Sequence, residues 1–486
     1  MNTFQSLRAV LVLAMFTLML AACGSGPAVP SNAAGGAATT APDAVGAAAT
    51  TAPNTEGDAA TTPVAEAMPE EATAIAQAGT GSTKLQVTVW LGQQELEAMV
   101  KLAERFTQKH PDVQVEFINI IEGGPFGRDK VQQMVAGGVP PDIFMLNSGQ
   151  FESFASRGVL APLDELVAGD SFDLGVYWPA AVVGSKFDGK LYGLPKDISN
   201  HVVFLNKDLF EEAGVPLPTN DWTWNDYRDL AKKLTKDTDG DGKIDQWGTS
   251  ILNGVAWWGG FVWPNGGEIL SEDRKECKLT MPESVEALKF YFGLLTEDEV
   301  SVPPGAMPQT PWQGDQFMSG VIGFSTFGPW FRPGLVENKP FDWTIRLYPQ
   351  PPNGGERISM LYTDQWGMSA TTDHPEEAWE LLKFLGGPEG HTAWSEIYGS
   401  RSITPIKELA LGDKWLSYGG PEHRADNQTI LDQLDATRPP PVDFANANAV
   451  DNTWNEQFEL VMIEQQTVEQ AVQNICDTIT PLLQQP

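Results

Sequence analysis

The chain has 486 residues, with 31 Lys+Arg against 64 Asp+Glu and a formal net charge of −33. So acidic a chain argues against a nucleic-acid binder, which needs a basic face, and against flat adhesion to anionic lipid. A 42% hydrophobic content supports a sizeable core, while three cysteines and five histidines in no metal-ligand spacing exclude a disulfide scaffold and a cluster-type zinc protein.

Arg8 and the free amine form a short positive region, and Ala9 to Leu20 is an apolar stretch too short to span a bilayer comfortably. It ends in Leu20-Ala21-Ala22-Cys23, small residues abutting a cysteine, which resembles the lipobox of bacterial lipoproteins. The resemblance implies a signal peptide over 1–22 and a lipid on Cys23, with several acyl chains giving stable anchoring. An ordinary signal peptide with a chance cysteine is the alternative. Residues 24–83 are mostly Ala, Thr, Gly and Pro, with acidic but no basic side chains before Lys84. Such a composition cannot offset the entropy of ordering. The expectation for 23–83 is therefore a lipidated cysteine and a disordered tether, with a reach of ~45 Å. No later window offers the ~20 apolar residues of a transmembrane helix.

From residue 84 the pattern changes. Leu85 to Trp90 alternates and predicts a strand; Glu95 to Lys109 carries a helical apolar stripe; Val113 to Ile118 predicts the next strand. A helix over 128–136 stops at Gly137-Gly138, and Ile143 to Leu146 predicts another strand, followed by a loop Asn147-Ser148-Gly149-Gln150. Alternating strands and helices imply an α/β fold with a mostly parallel sheet, whose ligands sit beyond the carboxyl ends of strands. That places Trp90, Gln93, Gln94, Asn147, Ser148 and Gln150 at a site-facing edge.

Several ordered words carry a wider resemblance: LAERFTQKHPDVQVEF, GGVPPDIFMLNSGQFESFASRGVLAPLDEL, DGKLYGLPKDISNHVVFLNKDLFEEAGV, FMSGVIGFSTFGPWF, DQWGMSATTDHPEEAWELLKFL and YGSRSITP. Together they resemble the extracellular solute-binding proteins of carbohydrate-import ABC transporters, the class that includes maltose-binding protein. The resemblance implies two α/β lobes joined by hinge crossovers around a central ligand cleft. It maps an N-lobe onto 84–198 and 324–369, and a C-lobe onto 199–323 and 370–486. It further implies stacking aromatics at Trp90, Trp257, Trp258 and Trp330, polar partners at Ser199, Asn200, Asp364 and Arg401, and Trp366 beside Asp364 on a crossover strand. Aromatic plates with short polar side chains suit the apolar faces and polar rims of sugars. For any one of these tryptophans, packing in the core is the competing reading.

Asp237-x-Asp239-x-Asp241-Gly242-Lys243-x-Asp245 has the oxygen-ligand spacing of a calcium loop, although Gly248 stands where the bidentate Glu belongs. A structural Ca²⁺ away from the cleft is expected, with a solvated acidic turn as the alternative; no other cofactor is required. Cys277 and Cys476 both map to the C-lobe, and export permits a disulfide between them, with two buried thiols as the alternative. The sequence carries no GxSxG, GxxxxGK[ST] or CxxC motif. The expected function is thus capture of a saccharide, and its delivery to ABC permease subunits, by a monomeric, lipid-anchored extracytoplasmic protein that is not an enzyme. The rivals are the same fold holding a glycerol phosphodiester or peptide, with Arg401 the obvious phosphate partner, and a surface glycosidase.

Overall fold

The computed structural model describes residues 75–121, 127–307, 314–441 and 446–485. Cys23 and most of the expected tether lie outside them. Its strands are β1 (Ile75–Ala78), β2 (Thr83–Val89), β3 (Val113–Asn119), β4 (Ile143–Asn147), β5 (Lys186–Phe187), β6 (Lys190–Leu191), β7 (Gly193–Asn200), β8 (Val202–Asn206), β9 (Trp247–Ser250), β10 (Ile322–Phe327), β11 (Trp343–Arg346), β12 (Ser359–Met368) and β13 (Thr437–Arg438).

One sheet runs β1-β3-β2-β4-β12-β13, with β7 on the other side of β12; the second runs β11-β8-β10-β9. The expected β-α-β units are present: β2 pairs in parallel with β3 and β4, and the helix Gln93–Thr107 crosses between β2 and β3. The helix buries Leu96, Met99, Leu102, Ala103 and Phe106, the stripe legible in the sequence. β12 runs antiparallel to both β4 and β7. In the second sheet the continuous apolar run Val202–Leu205 is wholly buried, as befits a strand covered on both faces.

Two boundaries expected from the sequence need correction. The tether does not extend to residue 83, because Ile75–Ala78 pairs antiparallel with Ile118–Val115 and buries Ala78. Small side chains hid this strand in an Ala-rich context. The lobe map also shifts. β10 and β11 both stay in the second sheet, so the chain enters β12 only after Arg346, not near residue 324. The helices Pro375–Gly386 and Pro388–Ile397 bury Trp379, Leu382, Leu385 and Ala393 against the first sheet's core. Residues 370–397 therefore belong with the first lobe, and only from Ile403 does the chain join the core around the second sheet. Amphipathic stripes make these helices legible, but not which sheet they cover.

The second lobe's core is aromatic: Trp224 stacks on Phe290 at 4.5 Å, and Tyr227 meets Phe324 edge-on at 4.6 Å. The helix Val468–Leu483 completes this core and is tied to it by a disulfide between Cys277 and Cys476.

Candidate functional site

The two sheets meet where β7 ends and β8 begins, at His201. Tyr362, on β12, faces Ser199 in the β7 register. Around the His201 ring stand Tyr362, Trp330 and Trp257, with ring centroids at 5.2, 5.5 and 5.8 Å. Trp330 meets Tyr362 edge-on at 5.4 Å. Its indole is 40% exposed, the largest exposure of any tryptophan among the described residues.

Both indoles fold back over a glycine. A Cβ at Gly328 would lie 1.9 Å from the Trp330 ring, and one at Gly254, where φ is +125°, would lie 3.0 Å from the Trp257 ring. Any side chain at either position would displace a plate. Trp257 is oriented further by its Nε1–H, which donates to the Thr326 carbonyl at 3.3 Å.

Two residues along β12 from Tyr362, on the same face by strand alternation, is Asp364. Here the β7 register jumps from Asp197, opposite Asp364, to Pro195, opposite Gln365, so Lys196 is the unpaired residue of a bulge. Bulges re-aim side chains. This one sets the Lys196 ammonium 2.9 Å from Asp197 and 4.0 Å from Asp364. Burial works against the Lys196 charge, but Asp197, Asp364 and Glu95 more than offset it and raise its pKa. Burial raises the Asp364 carboxyl well above its usual range, and Asp197 adds to the rise. Glu95, on the first turn of the helix after β2, is raised mainly by burial, with Lys196 opposing. The junction thus offers an aromatic end and a charged end on one strand, with donors and acceptors for polyhydroxyl rims and plates for apolar ring faces.

Trp257, Trp330, Ser199 and Asp364 gather here, and Asn147 stands opposite Asp364 in the β4–β12 register. Trp258 does not: it is fully buried between Trp454 and Phe458, because one residue along a helix turns the side chain about 100° away from Trp257. Trp366 shares the face of Asp364, but lies farther along β12, inside the first lobe's core. Trp90 packs half-buried against that lobe's apolar clusters. Asn147 is no loop residue; it caps the helix Ser148–Ser156, its N–H donating to the Gln150 side chain at 3.5 Å. Ser148 opens that helix directly, so the expected loop is absent. Gln93 and Gln94 are exposed on the opening turn of their helix, and Gln93 donates to Glu97. Asn200 is buried and donates to the Ile430 carbonyl at 2.8 Å. Arg401 is paired with Glu337 at 2.6 Å and lies over the Tyr398 ring, which leaves it poorly placed as a phosphate clamp.

Sequence reasoning missed Glu95, Lys196, His201 and Tyr362. Only Tyr362 had a signal, its period-two spacing from Asp364. The calcium pattern is partly gathered: Asp237, Asp239 and Asp245 each bring a carboxylate oxygen within 4.8 Å of the others. Asp241 and Lys243 are not in that group; the Asp241 carboxylate accepts from the Lys243 N–H and pairs with its ammonium at 3.8 Å.

The body is thus a two-lobed α/β fold with aromatic and charged groups at the lobe junction. Residues 92–392 match the family model of the bacterial extracellular solute-binding proteins, and the chain belongs to that family. It is 25% identical over 421 residues to the arabinooligosaccharide-binding protein of Bacillus subtilis, covering 81% of this chain and 91% of that one. Similarity to a binding protein of Brucella abortus is 27% over 257 residues, 53% of this chain and only 61% of that protein's length. Among solved structures, an ABC substrate-binding protein of Listeria monocytogenes in complex with cycloalternan superposes with a TM-score of 0.73 at 28% identity, covering 82% of this chain and 99% of that one. Maltose-bound MalE3 of T. maritima superposes with a TM-score of 0.69 at 22% identity, over 82% and 100% of the two chains. Among the described residues no helix is long and apolar enough to cross a membrane.

Proposed function

We propose that this protein captures an oligosaccharide between its lobes and delivers it to an ABC permease, working by closure rather than catalysis. The observation that carries the reading is the joined site: Trp330, Trp257 and Tyr362 at one end, Lys196, Asp197, Asp364 and Glu95 at the other. The relatives' names support it, since they bind arabinooligosaccharide, maltotriose and cycloalternan. A ligand held by both lobes favours the closed population by its differential affinity. Binding raises stability by mass action, so a thermal-shift screen over arabino-, malto- and cyclic oligosaccharides should yield at least one hit. A panel with no shift, or with products of cleavage, counts against the reading.

Truncating Trp330 tests the plate itself. Removing an interface aromatic costs about 2 kcal/mol, or a roughly 30-fold loss of affinity. Because Trp330 is 40% exposed, Trp330→Ala should cost the ligand-free protein less stability than truncating the fully buried Trp258. Unchanged affinity by calorimetry would remove Trp330 from the site.

Anchoring follows from Cys23. The Cys23→Ser variant should leave the membrane fraction or accumulate unprocessed; a processed, membrane-bound variant contradicts the lipid anchor. We also propose a structural Ca²⁺ on Asp237, Asp239 and Asp245, whose hard oxygen donors suit it. Chelation should lower the melting temperature without altering saccharide preference, and a flat calcium titration leaves only a hydrogen-bonded acidic turn.

A further inference from the structure

His201 joins the two sheets, and its backbone is fastened at that point. Its N–H donates to Ser359 Oγ at 3.0 Å, and the same hydroxyl donates back to the His201 carbonyl at 2.8 Å. The imidazole is fully buried, and among the described residues neither Nδ1 nor Nε2 has a hydrogen-bond partner. The Ala256 backbone lies near enough to favour a protonated ring, without a bond of acceptable geometry. Burial nonetheless holds the ring neutral.

A neutral imidazole carries one N–H donor and one lone pair. Buried polar groups in folded proteins are nearly always partnered, so a ring with neither nitrogen engaged calls for an explanation. Its ring neighbours supply none, being the faces and edges of Tyr362, Trp330 and Trp257 with the Trp257 N–H already given to Thr326, and the nearby Ala256 backbone makes no well-formed bond. These are also the rings that a stacking ligand must touch. Trp330, held on the Gly328 turn, is the exposed one, and its ring lies 5.5 Å from the imidazole.

We infer that a hydroxyl of the bound saccharide supplies the partner that His201 lacks, which makes His201 a specificity-determining residue at the hinge. The inference rests on the saccharide reading above. A sugar hydroxyl both donates and accepts, so it can satisfy either nitrogen, whereas an apolar ligand stacking on the same plates would leave the ring as it is.

The test is calorimetry on the full chain with the saccharide found by the thermal-shift screen, comparing the native protein with His201→Phe, which keeps a ring and removes both nitrogens. Affinity should fall about tenfold. The ligand-free melting temperature should hold or rise, since an unpartnered buried polar group is removed. Among monodeoxy analogues, one should bind the native protein about tenfold more weakly and suffer no further loss on His201→Phe, a coupling that a purely structural role does not produce. Equal affinities within twofold for native and variant protein overturn the inference and leave the saccharide reading intact. If no saccharide binds the native protein, both fall. Should His201→Phe fail to fold, imidazole ¹⁵N shifts of native His201 decide: movement on saccharide addition supports the contact, and unmoved shifts overturn it.

Discussion

Trp258→Ala should destabilise the ligand-free protein by about 3–5 kcal/mol. The indole is fully buried, edge-on to Trp454 at 5.9 Å and to Phe458 at 5.2 Å, and so ties the helix Val255–Val262 to Ala447–Met462. No hydrogen bond among the described residues is lost on truncation, because Trp258 Nε1 has no partner there. The whole cost is therefore transfer of apolar surface plus the cavity left behind. Denaturant unfolding without ligand measures it as a lower midpoint at unchanged slope. A change under 1 kcal/mol together with weakened saccharide binding would return Trp258 to the site and displace its neighbour Trp257.

Opening the disulfide should have the next largest effect. Cys277 and Cys476 are 199 residues apart, and closing so long a loop removes much freedom from the unfolded chain. A Cys277→Ala, Cys476→Ala double variant should lose about 2–5 kcal/mol, and reductant should lower the native protein's stability while leaving the variant's unchanged. Reductant with no effect on the native protein would mean that the two thiols are not bonded in solution.

The sequence made the first lobe's β-α-β frame legible because each piece is governed by local rules: β-branched alternation in β2 and β3, a 3.6-residue stripe between them, and glycine stops. It did not make lobe membership legible. The helices Pro375–Gly386 and Pro388–Ile397 carry clear apolar faces, but a stripe says only that something covers it. At the site, Trp330 stands out in its Gly-Pro-Trp turn, whereas Trp257 and Trp258 differ by one step of helix rotation that no neighbouring residue announces. Lys196 was hidden for another reason. Its direction comes from a bulge, a mismatch between two strands far apart in the chain, so nothing in its own segment records it. Trp366 was implied by the resemblance to lie beside Asp364, and it does share that strand, but its side chain is buried in the first lobe's core.

The short strand β1 has a mechanical consequence. It fastens the start of the described chain to β3 by antiparallel pairing from Ile75 to Ala78, at the outer edge of the first sheet. A pull applied at Ile75 is borne by the first lobe. Among the described residues the chain passes between the two cores near His201, between Arg346 and Ser359, and between Ile397 and Ile403, and Arg274 of the second lobe pairs with Glu152 of the first at 2.8 Å. A load applied at Ile75 therefore falls on the hydrogen bonds between β1 and β3 at the first sheet's edge, and does not pass through the connections near His201.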